Sequence, residues 1–192
     1  MSVDLSKHKT CIFGIQESGK TYWARTMYKK FRHPIVFQVN EDDGWEKLTD
    51  LYVFKANRTK VKEDFEAFKK LAYENAKKGK IDLIIIDEAD MFFQGNWDLD
   101  PIMTDLVLNH RHIGDGVALW FITRRPQDIP TKVVESSKHL VIFKLEGKNA
   151  IDRFREIHPM IPELVEQLDF ETHDFVYKEL GKEPILCPPL KK

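Results

Sequence analysis

Short apolar runs alternate along the chain with longer segments of helical periodicity. The apolar runs predict strands at 10–13, 35–39, 52–55, 83–87, 117–123 and 140–145, and the segments between them predict helices at 19–31, 59–78, 101–112, 131–136, 149–157 and 161–168. Three of the strands, at 83–87, 117–123 and 140–145, are almost wholly apolar, as central strands covered on both sides must be. The pattern therefore predicts an α/β fold, with a mainly parallel β-sheet and helices on both faces.

The length of 192 residues corresponds to a single domain with a proper hydrophobic core. We expect one domain over 1–180 and a Pro-rich C-terminal tail over 181–192, which contributes an edge strand and then a loose end. The two cysteines, Cys11 and Cys187, lie at opposite ends of the chain and indicate no disulfide framework. The histidines lack metal-ligand spacing, so we predict no zinc site.

Charge and hydropathy narrow the class of protein further. The chain has 30 Lys and Arg residues against 31 Asp and Glu residues, a formal net charge of −1, which argues against coating nucleic acid by bulk electrostatics. No apolar run approaches the ~20 residues that span a bilayer. The N-terminus also has no apolar signal region, so we expect a cytoplasmic protein without a transmembrane segment.

A glycine-rich segment between the first strand and the first helix fits the pattern G-x-x-x-x-G-K-[ST]. Its glycines allow backbone N–H groups to surround a phosphate, Lys20 reaches the β- and γ-phosphate oxygens, and the Thr21 hydroxyl is a ligand for Mg²⁺. The strand before it and the helix after it are the context that this motif requires. We therefore predict that ATP and Mg²⁺ are bound here. The predicted nucleotide-binding residues are Gly14, Ile15, Gln16, Glu17, Ser18, Gly19, Lys20, Thr21 and Tyr22.

Two adjacent carboxylates, Asp87 and Glu88, close the apolar strand at 83–87. A carboxylate at the carboxyl end of such a strand can hold Mg²⁺, so Asp87 is a predicted metal ligand together with Thr21. Glu88 is then placed to polarise the water that attacks the γ-phosphate. The simpler interpretation, a strand that exits to solvent with acidic residues at its end, is weakened by the phosphate-binding motif.

Polar and basic residues flank the strand at 117–123 on both sides. Thr123 and Arg124 end the strand, where either could sense the γ-phosphate, or could merely form a polar strand end. Arg111 precedes the strand, at the end of the predicted helix 101–112. There it either complements the helix dipole or projects into the nucleotide site of a neighbouring subunit as an arginine finger. The predicted catalytic residues are Glu88, Lys20, Arg111, Thr123 and Arg124.

These motifs together resemble the FtsK–HerA branch of P-loop ATPases, which are ring-shaped motors that pump DNA or assemble filaments. The likeness covers about 9–145 and rests on 14–21, on 83–88, and on Arg111-His-Ile-Gly114 followed by Phe121-Ile-Thr-Arg-Arg-Pro126. It implies a RecA/ASCE-like P-loop NTPase fold, with the strand at 117–123 between the phosphate-loop strand and the acidic strand. Arg124 departs from the pattern, because the family usually has Gln there.

The resemblance also implies partners and a location. It implies a homo-oligomeric ring, commonly a hexamer, with double-stranded DNA in its centre. Among compact members it favours viral genome-packaging ATPases, in host cytoplasm or virion, with a capsid or membrane protein as a further partner. The alternative members are the zonula-occludens-toxin-like assembly ATPases of filamentous phages, which usually carry a membrane segment.

The predicted helix at 59–78 and its flanks form the candidate DNA-binding face. The segment 58–80 has eight basic and four acidic residues, and its apolar positions fall at helical spacing, so the lysines occupy the opposite face. Such a face is either simply solvated or contacts DNA phosphates without reading sequence. The aromatic segment 91–97 is a second candidate, which either lines a ring pore or packs in the core.

Two other functions remain open from the residues alone. One is a small P-loop nucleotide kinase, because such kinases have a similar length and use clustered arginines. However, they lack an adjacent Asp-Glu pair at the end of the acidic strand, which this chain has at Asp87 and Glu88. An assembly protein could instead use nucleotide only to control association.

Overall fold

Eight strands form one sheet in the structure, a computed structural model that describes residues 3–40, 44–93 and 99–190. Their order across the sheet is β3-β2-β4-β5-β1-β6-β7-β8. The first six strands are parallel, and β7 and β8 are added antiparallel at one side. The predicted α/β class with a mainly parallel sheet is confirmed. The strands are β1 Lys9–Phe13, β2 Pro34–Gln38, β3 Tyr52–Lys55, β4 Leu83–Ile86, β5 Ala118–Thr123, β6 His139–Ile142, β7 Phe175–Glu179 and β8 Ile185–Cys187.

The predicted helices are all present, with ends that differ by a few residues. Two of them stop early and continue as a single 3-10 turn, at Tyr28–Lys30 and at His110–His112. A short extra helix follows β4 directly. The helices are α1 Lys20–Met27, α2 Val61–Lys77, α3 Asp90–Phe93, α4 Pro101–Asn109, α5 Thr131–Glu135, α6 Lys148–Arg155 and α7 Met160–Glu166.

The two faces of the sheet are covered differently. Helices α2 to α7 pack their apolar residues on one face, where Phe68 and Phe154 are almost fully buried. On the other face α1 and the flanking loops cover the sheet with large aromatic side chains, among them Trp23, Trp45 and Trp120. Burying each such side chain contributes about 1.5–3 kcal/mol, so both layers stabilise the sheet whose edge carries the candidate site.

The antiparallel side of the sheet was only partly predicted. The edge strand expected after 181 is present as β8, but its partner β7 was missed. β7 consists of three apolar or aromatic residues followed by two charged ones, close to a polar turn, and so short a run gives a weak strand signal. Over the three described ranges, no helix is long and apolar enough to cross a membrane.

Candidate nucleotide site

The carboxyl ends of three central strands meet at one edge of the sheet. β5 lies between β1 and β4, with Phe13 in register with Thr123, and Ile86 with Phe121. Because the three strands are parallel, the segments that follow them emerge side by side. These segments are the glycine-rich loop, the Asp87 and Glu88 pair, and Arg124. The strand order is the one that the sequence resemblance implied.

The glycine-rich loop has no room for side chains at its first position. A Cβ on Gly14 would lie 2.5 Å from Ser18 Oγ and 2.7 Å from Phe143 Cβ. Gly19 has a φ of 108° and caps the N-terminus of α1 without a side-chain hydrogen bond. The first N–H groups of a helix lack partners within the helix. The loop and the start of α1 therefore form a backbone cradle suited to phosphate groups.

Lys20 is held inside the curve of this loop. Its side chain is buried, and its Nζ donates a hydrogen bond to the carbonyl oxygen of Ile15 at 2.6 Å. The Ser18 hydroxyl donates to the same oxygen at 2.8 Å. These contacts close the loop on itself and place a cation at its centre. Of the other predicted loop residues, Gln16 and Glu17 are exposed.

Asp87 is buried at the end of β4 and its carboxylate is held from two sides. Oδ1 accepts the backbone N–H of Glu88 at 3.0 Å, and Oδ2 accepts the indole Nε1–H of Trp45 at 2.9 Å. Trp45 is fully buried. No signal in the sequence pointed to this contact, since it is made by the long connection between β2 and β3. Trp45 is therefore a positioning residue that pattern reasoning missed.

The oxygen donors at this edge fit a magnesium ion. Asp87 supplies a carboxylate, and Thr21, at the start of α1, supplies a hydroxyl that borders the adjoining cavity. Within the described residues no group of three His, Cys, Asp or Glu side chains is arranged to hold a metal ion. Mg²⁺ commonly takes only one or two protein oxygens and completes its shell with phosphates and water. The donor set is thus suitable for Mg²⁺ bound together with a nucleotide.

Glu88 has an unusual backbone and two side-chain neighbours. Its φ is 52°, in the left-handed region. Asn40 Nδ2 donates to Oε1 at 3.2 Å, and Arg124 Nε lies 3.3 Å from Oε2 in an ion pair. The carboxylate is 14% exposed and the Arg124 side chain 46% exposed. Asn40 follows β2, and no motif in the sequence singled it out.

Thr123 and Arg124 differ in how far contacts within the protein occupy their side chains. The Thr123 hydroxyl donates to Asp90 Oδ1 at 2.7 Å and accepts the backbone N–H of Arg125 at 3.0 Å. A hydroxyl has one proton to donate, so that of Thr123 is committed to Asp90. Of the two strand-end candidates, Arg124 is the one with an exposed guanidinium beside Glu88.

Arg111 lies at the opposite edge of the sheet from the glycine-rich loop. It sits in the 3-10 turn that precedes β5, and its side chain is exposed. Burial lowers the pKa of His8, and the positive charge of Arg111 lowers it further, so Arg111 is near the amino end of β1. β1 has five residues and spans about 13 Å, which separates this turn from the loop. The structure does not bring Arg111 to the nucleotide site of its own chain.

A cavity of about 560 Å³ adjoins the loop and the first turn of α1. One wall is formed by Tyr22 and Phe143, and the other by residues near the C-terminus, including Phe175. The Phe143 and Phe175 rings are 5.3 Å apart. The sequence identified no base pocket, because these walls come from segments far apart in the chain. The remaining C-terminal lining residues are Thr172, His173, Pro189 and Leu190.

The candidate DNA-binding face needs one correction. Lys69 is buried and forms ion pairs with Glu66 at 2.6 Å and Asp100 at 2.5 Å, so its assignment to the exposed face was wrong. Its stem lies against the aromatic layer under α2 rather than in solvent, with Nζ 5.4 Å from the centre of the Phe65 ring. Seven basic residues of the segment are exposed: Arg58, Lys60, Lys62, Lys70, Lys77, Lys78 and Lys80.

The aromatic segment 91–97 is described only up to Phe93. Phe93 is buried, and Phe92 stacks on Phe65 with ring centres 3.9 Å apart. Both rings therefore contribute to the core, as one of the two interpretations expected. Positions 94–97 lie outside the described residues.

The solved structures compared with this chain share its fold at low sequence identity. No protein-family model matches the chain, and no curated protein sequence matches it. The DNA-packaging ATPase B204 of Sulfolobus turreted icosahedral virus superposes with a TM-score of 0.81 at 20% identity, over 98% of this chain and 100% of that one. The chain has the fold of this ATPase. The sequence resemblance is thereby confirmed at the level of the fold.

Two further structures extend the comparison. The genome-packaging NTPase B204 of Sulfolobus turreted icosahedral virus 2, in complex with ATPγS, gives a TM-score of 0.80 at 20% identity, over 96% of this chain and 98% of that one. EssC (ATPases 2 and 3) of Geobacillus thermodenitrificans gives 0.67 at 15% identity, over 97% of this chain and 40% of that one. The packaging proteins thus match nearly the whole length of the chain as well as its fold.

Proposed function

We propose that this chain is an ATP-hydrolysing motor that moves double-stranded DNA, of the viral genome-packaging kind. The observation that carries the proposal is the convergence of the glycine-rich loop, Asp87, Glu88 and Arg124 at one edge of a sheet. The fold shared with packaging ATPases supports the choice among nucleotide-dependent proteins.

The nucleotide binds across the loop and the adjoining cavity. The triphosphate lies on the backbone N–H groups of the loop and the start of α1, and Lys20 contacts its β- and γ-phosphate oxygens. The nucleoside occupies the 560 Å³ cavity, where Tyr22, Phe143 and Phe175 offer apolar and aromatic surface to the base. Mg²⁺, held by Thr21 and Asp87, neutralises phosphate charge when bound.

Hydrolysis requires one proton transfer by the protein. Glu88 accepts a proton from a water molecule as the water oxygen bonds to the γ-phosphorus. The bond from the γ-phosphorus to the bridging oxygen breaks, and its electron pair leaves with ADP. The products are ADP and inorganic phosphate, and the proton taken by Glu88 returns to solvent. Arg124 and Lys20 stabilise the negative charge that shifts toward the leaving oxygen.

The arginine finger comes from a neighbouring subunit. Arg111 is exposed and lies at the edge of the sheet opposite its own loop. In a head-to-tail ring two different surfaces of the subunit meet, which allows the amino edge of one subunit to face the carboxyl edge of the next. We therefore place Arg111 of one protomer at the γ-phosphate of its neighbour, in a homo-oligomeric, six-membered ring.

DNA contacts the exposed basic residues of 58–80. Seven cations lie outside the core there, enough for phosphate contacts that do not depend on sequence. A motor needs such contacts because they must be remade at every step. Recognition of one genome or capsid is then the task of a capsid or membrane protein.

The decisive experiment measures ATP hydrolysis with and without a double-stranded DNA fragment, on protein whose mass in solution is determined. We expect an oligomer whose rate rises with DNA, and a Glu88→Gln variant that binds ATP without turning it over. Phosphate transfer from ATP to a nucleoside would instead identify a kinase. Absence of hydrolysis in both conditions would identify a protein in which nucleotide only controls assembly.

A further inference from the structure

We propose that double-stranded DNA contacts a groove at the amino edge of the sheet, the edge at which the parallel strands begin, through basic residues of two separate segments, 29–32 and 77–80. The inference rests on the proposed function, because it takes DNA as the partner, and it deepens that function by naming the contact surface. Only the second segment belongs to the basic face at 58–80.

A groove of about 640 Å³ opens at the amino ends of β2 and β4. Pro34, the first residue of β2, is in register with Leu83, the first residue of β4, so the segments that precede the two strands lie side by side. Arg32 and His33 line the groove from one segment, and Lys80 lines it from the other. Two segments that are far apart in the chain are thus joined into one surface.

The first of these segments belongs to a turn at 28–33 that is anchored by other residues. In its middle, the Phe31 ring lies 5.5 Å from the Trp120 ring. At its end, the Asp82 carboxylate accepts the backbone N–H groups of positions 32 and 33, at 2.8 and 2.9 Å. The turn is therefore fixed to the sheet while its basic side chains remain in solvent. The exposed basic residues of the turn are Lys29, Lys30 and Arg32.

The second segment is fixed by the end of α2. Gly79 has a φ of 67°, and its N–H donates to the Ala76 carbonyl at 2.9 Å. The N–H of Lys80 donates to the Asn75 carbonyl at 2.9 Å, and this pair of hydrogen bonds closes the helix. Lys78 and Lys80 are exposed on either side of the glycine. Cations on a support of this kind lose less conformational freedom when they bind a phosphate.

The protein itself does not neutralise these cations. Lys77 pairs with Glu74 at 3.7 Å, and Asp82 is occupied by backbone N–H groups. Asp50 lines the groove and Asp115 lies beside the end of α2, and neither forms an ion pair within the described residues. The five basic residues that also lack an ion pair in the described part of the chain are Lys29, Lys30, Arg32, Lys78 and Lys80. The groove is therefore surrounded by an excess of positive charge, which suits the phosphates of a DNA backbone.

The groove and Arg111 use different parts of the amino edge. The groove lies at β2, β3 and β4, whereas Arg111 precedes β5, which is the next strand across the sheet. In a ring that encloses DNA, the groove faces the axis, so the β3 side of the sheet lies inward and β8 lies outward. Arg111 then remains available to the neighbouring subunit.

The test measures DNA binding by two pair variants, using fluorescence anisotropy of a labelled double-stranded fragment at several salt concentrations. One variant carries Lys29→Gln and Arg32→Gln, and the other carries Lys78→Gln and Lys80→Gln. Because each removes two phosphate contacts, we expect affinity at about 0.1 M salt to fall about tenfold or more. The slope of log affinity against log salt concentration should become shallower by about 1.8 in each pair variant and by about 3.6 in the quadruple variant.

The matched control carries Lys132→Gln and Lys148→Gln, which remove the same charge from two other exposed lysines. These lysines lie in α5 and α6, which follow the carboxyl ends of β5 and β6. The control should keep the affinity and the salt dependence of the parent protein. Urea denaturation and the mass in solution establish that each variant is folded and assembled like the parent.

Parent affinity and salt dependence in either pair variant would overturn the inference, because one of the two segments would then not contact DNA. A loss in the control as large as the losses in the pair variants would also overturn it, because net charge rather than the groove would then set the affinity. Failure of the proposed function is visible before any variant is made. The parent would then bind no DNA, and the inference would fall with it.

Discussion

The carboxyl edge of the sheet, where its parallel strands end, and the amino edge, where they begin, both contain buried charged and polar groups. The contacts that these groups make differ between the two edges. At the carboxyl edge Lys20, Asp87 and Glu88 surround a backbone cradle beside a cavity. At the amino edge the buried basic side chains contact carbonyl and hydroxyl oxygens of the protein itself. Lys9 donates to the Val107 carbonyl at 2.8 Å and to the Ser136 hydroxyl at 2.7 Å, and His110 Nδ1 lies 2.9 Å from the Val117 carbonyl.

We interpret the carboxyl edge as the reactive edge of the proposed function and the amino edge as a supporting edge. At the amino edge, Lys9 and His110 hold the end of α4 and the start of β5 on either side of Arg111. We interpret the amino edge as a rigid support that positions Arg111, which we propose acts on the next subunit.

The largest contrast is expected between two buried lysines, one at each edge. Lys20→Met removes the cation from the phosphate loop and should lower the hydrolysis rate at least about 100-fold, since catalytic charge stabilisation of this kind is worth 10²–10³ in rate. Lys9→Met leaves the Val107 carbonyl without its donor and should lower the free energy of unfolding by about 1–3 kcal/mol. Steady-state kinetics and chemical denaturation of both variants measure the contrast.

An equal loss of activity in the two variants, with Lys9→Met still folded and oligomeric, would contradict the division between the edges.

The basic face offers a second contrast, between its two ends. Arg58, Lys60 and Lys62 lie by the start of α2, near the reactive edge, and Lys77, Lys78 and Lys80 lie by its end. One of these two ends is expected to contact DNA. Changing its three basic residues to Gln should weaken DNA binding more than about tenfold. The slope of log affinity against log salt concentration should become shallower by about 0.9 per lost contact. Fluorescence anisotropy at several salt concentrations compares the two triple variants. Unchanged binding in both would exclude 58–80 as the DNA contact.

Removing one wall of the cavity should have a smaller effect. Tyr22 is 42% exposed, so Tyr22→Ala removes surface for the base without disturbing the core. Stacking on an aromatic residue contributes about 1–3 kcal/mol, and we expect ATP affinity to fall about fivefold or more. Binding of inorganic tripolyphosphate should be unaffected, since it uses the loop alone. Tyr52→Ala, another exposed aromatic on the far edge strand, is the control.

A parallel loss of ATP and tripolyphosphate binding in Tyr22→Ala would place the damage in the loop and remove the cavity from nucleoside binding.

The smallest effect concerns pH and the supporting edge. Burial lowers the pKa of both His110 and His139 to about 4, against 6.5 for an exposed histidine. Between pH 6.5 and 4 the unfolded chain binds more protons than the folded one, so stability falls as the pH is lowered through this range. Each histidine should contribute a loss of about 1–2 kcal/mol by pH 5. Urea denaturation at several pH values, with His139→Gln for comparison, measures it.

A pH dependence that is identical in the parent and His139→Gln would exclude that histidine from the effect.

Local motifs predicted which segments meet at the carboxyl edge, because each of these segments follows the end of a strand in the sequence. The loop at 14–21 and the Asp87 and Glu88 pair each adjoin a strongly apolar strand, so their residue types and their place in the sheet could be read together. Asn40 and Trp45 could not be found this way. Their roles come from contacts across β2 and β4 that depend on tertiary packing and leave no periodic signal.

The C-terminal wall of the cavity escaped prediction for a related reason. Phe175 begins β7, a strand with a weak pattern, and only its pairing with β6 brings it to the loop. Lys69 was misassigned because it was grouped with the other lysines by its charge. It lies one helical turn from Phe65 and from Ala72, on the buried side of α2, and there its amino group pairs with Asp100.

The measurement that tests the relation between the two edges most directly is a subunit-mixing assay of ATP hydrolysis. Arg111→Ala and Glu88→Gln should each be nearly inactive alone, and a mixture should regain activity because some sites combine an intact Glu88 with an Arg111 from the neighbouring subunit. With random exchange in a head-to-tail ring, about a quarter of the sites are complete at an equal ratio. No recovery at any ratio, with subunit exchange demonstrated by mass, would contradict the composite site.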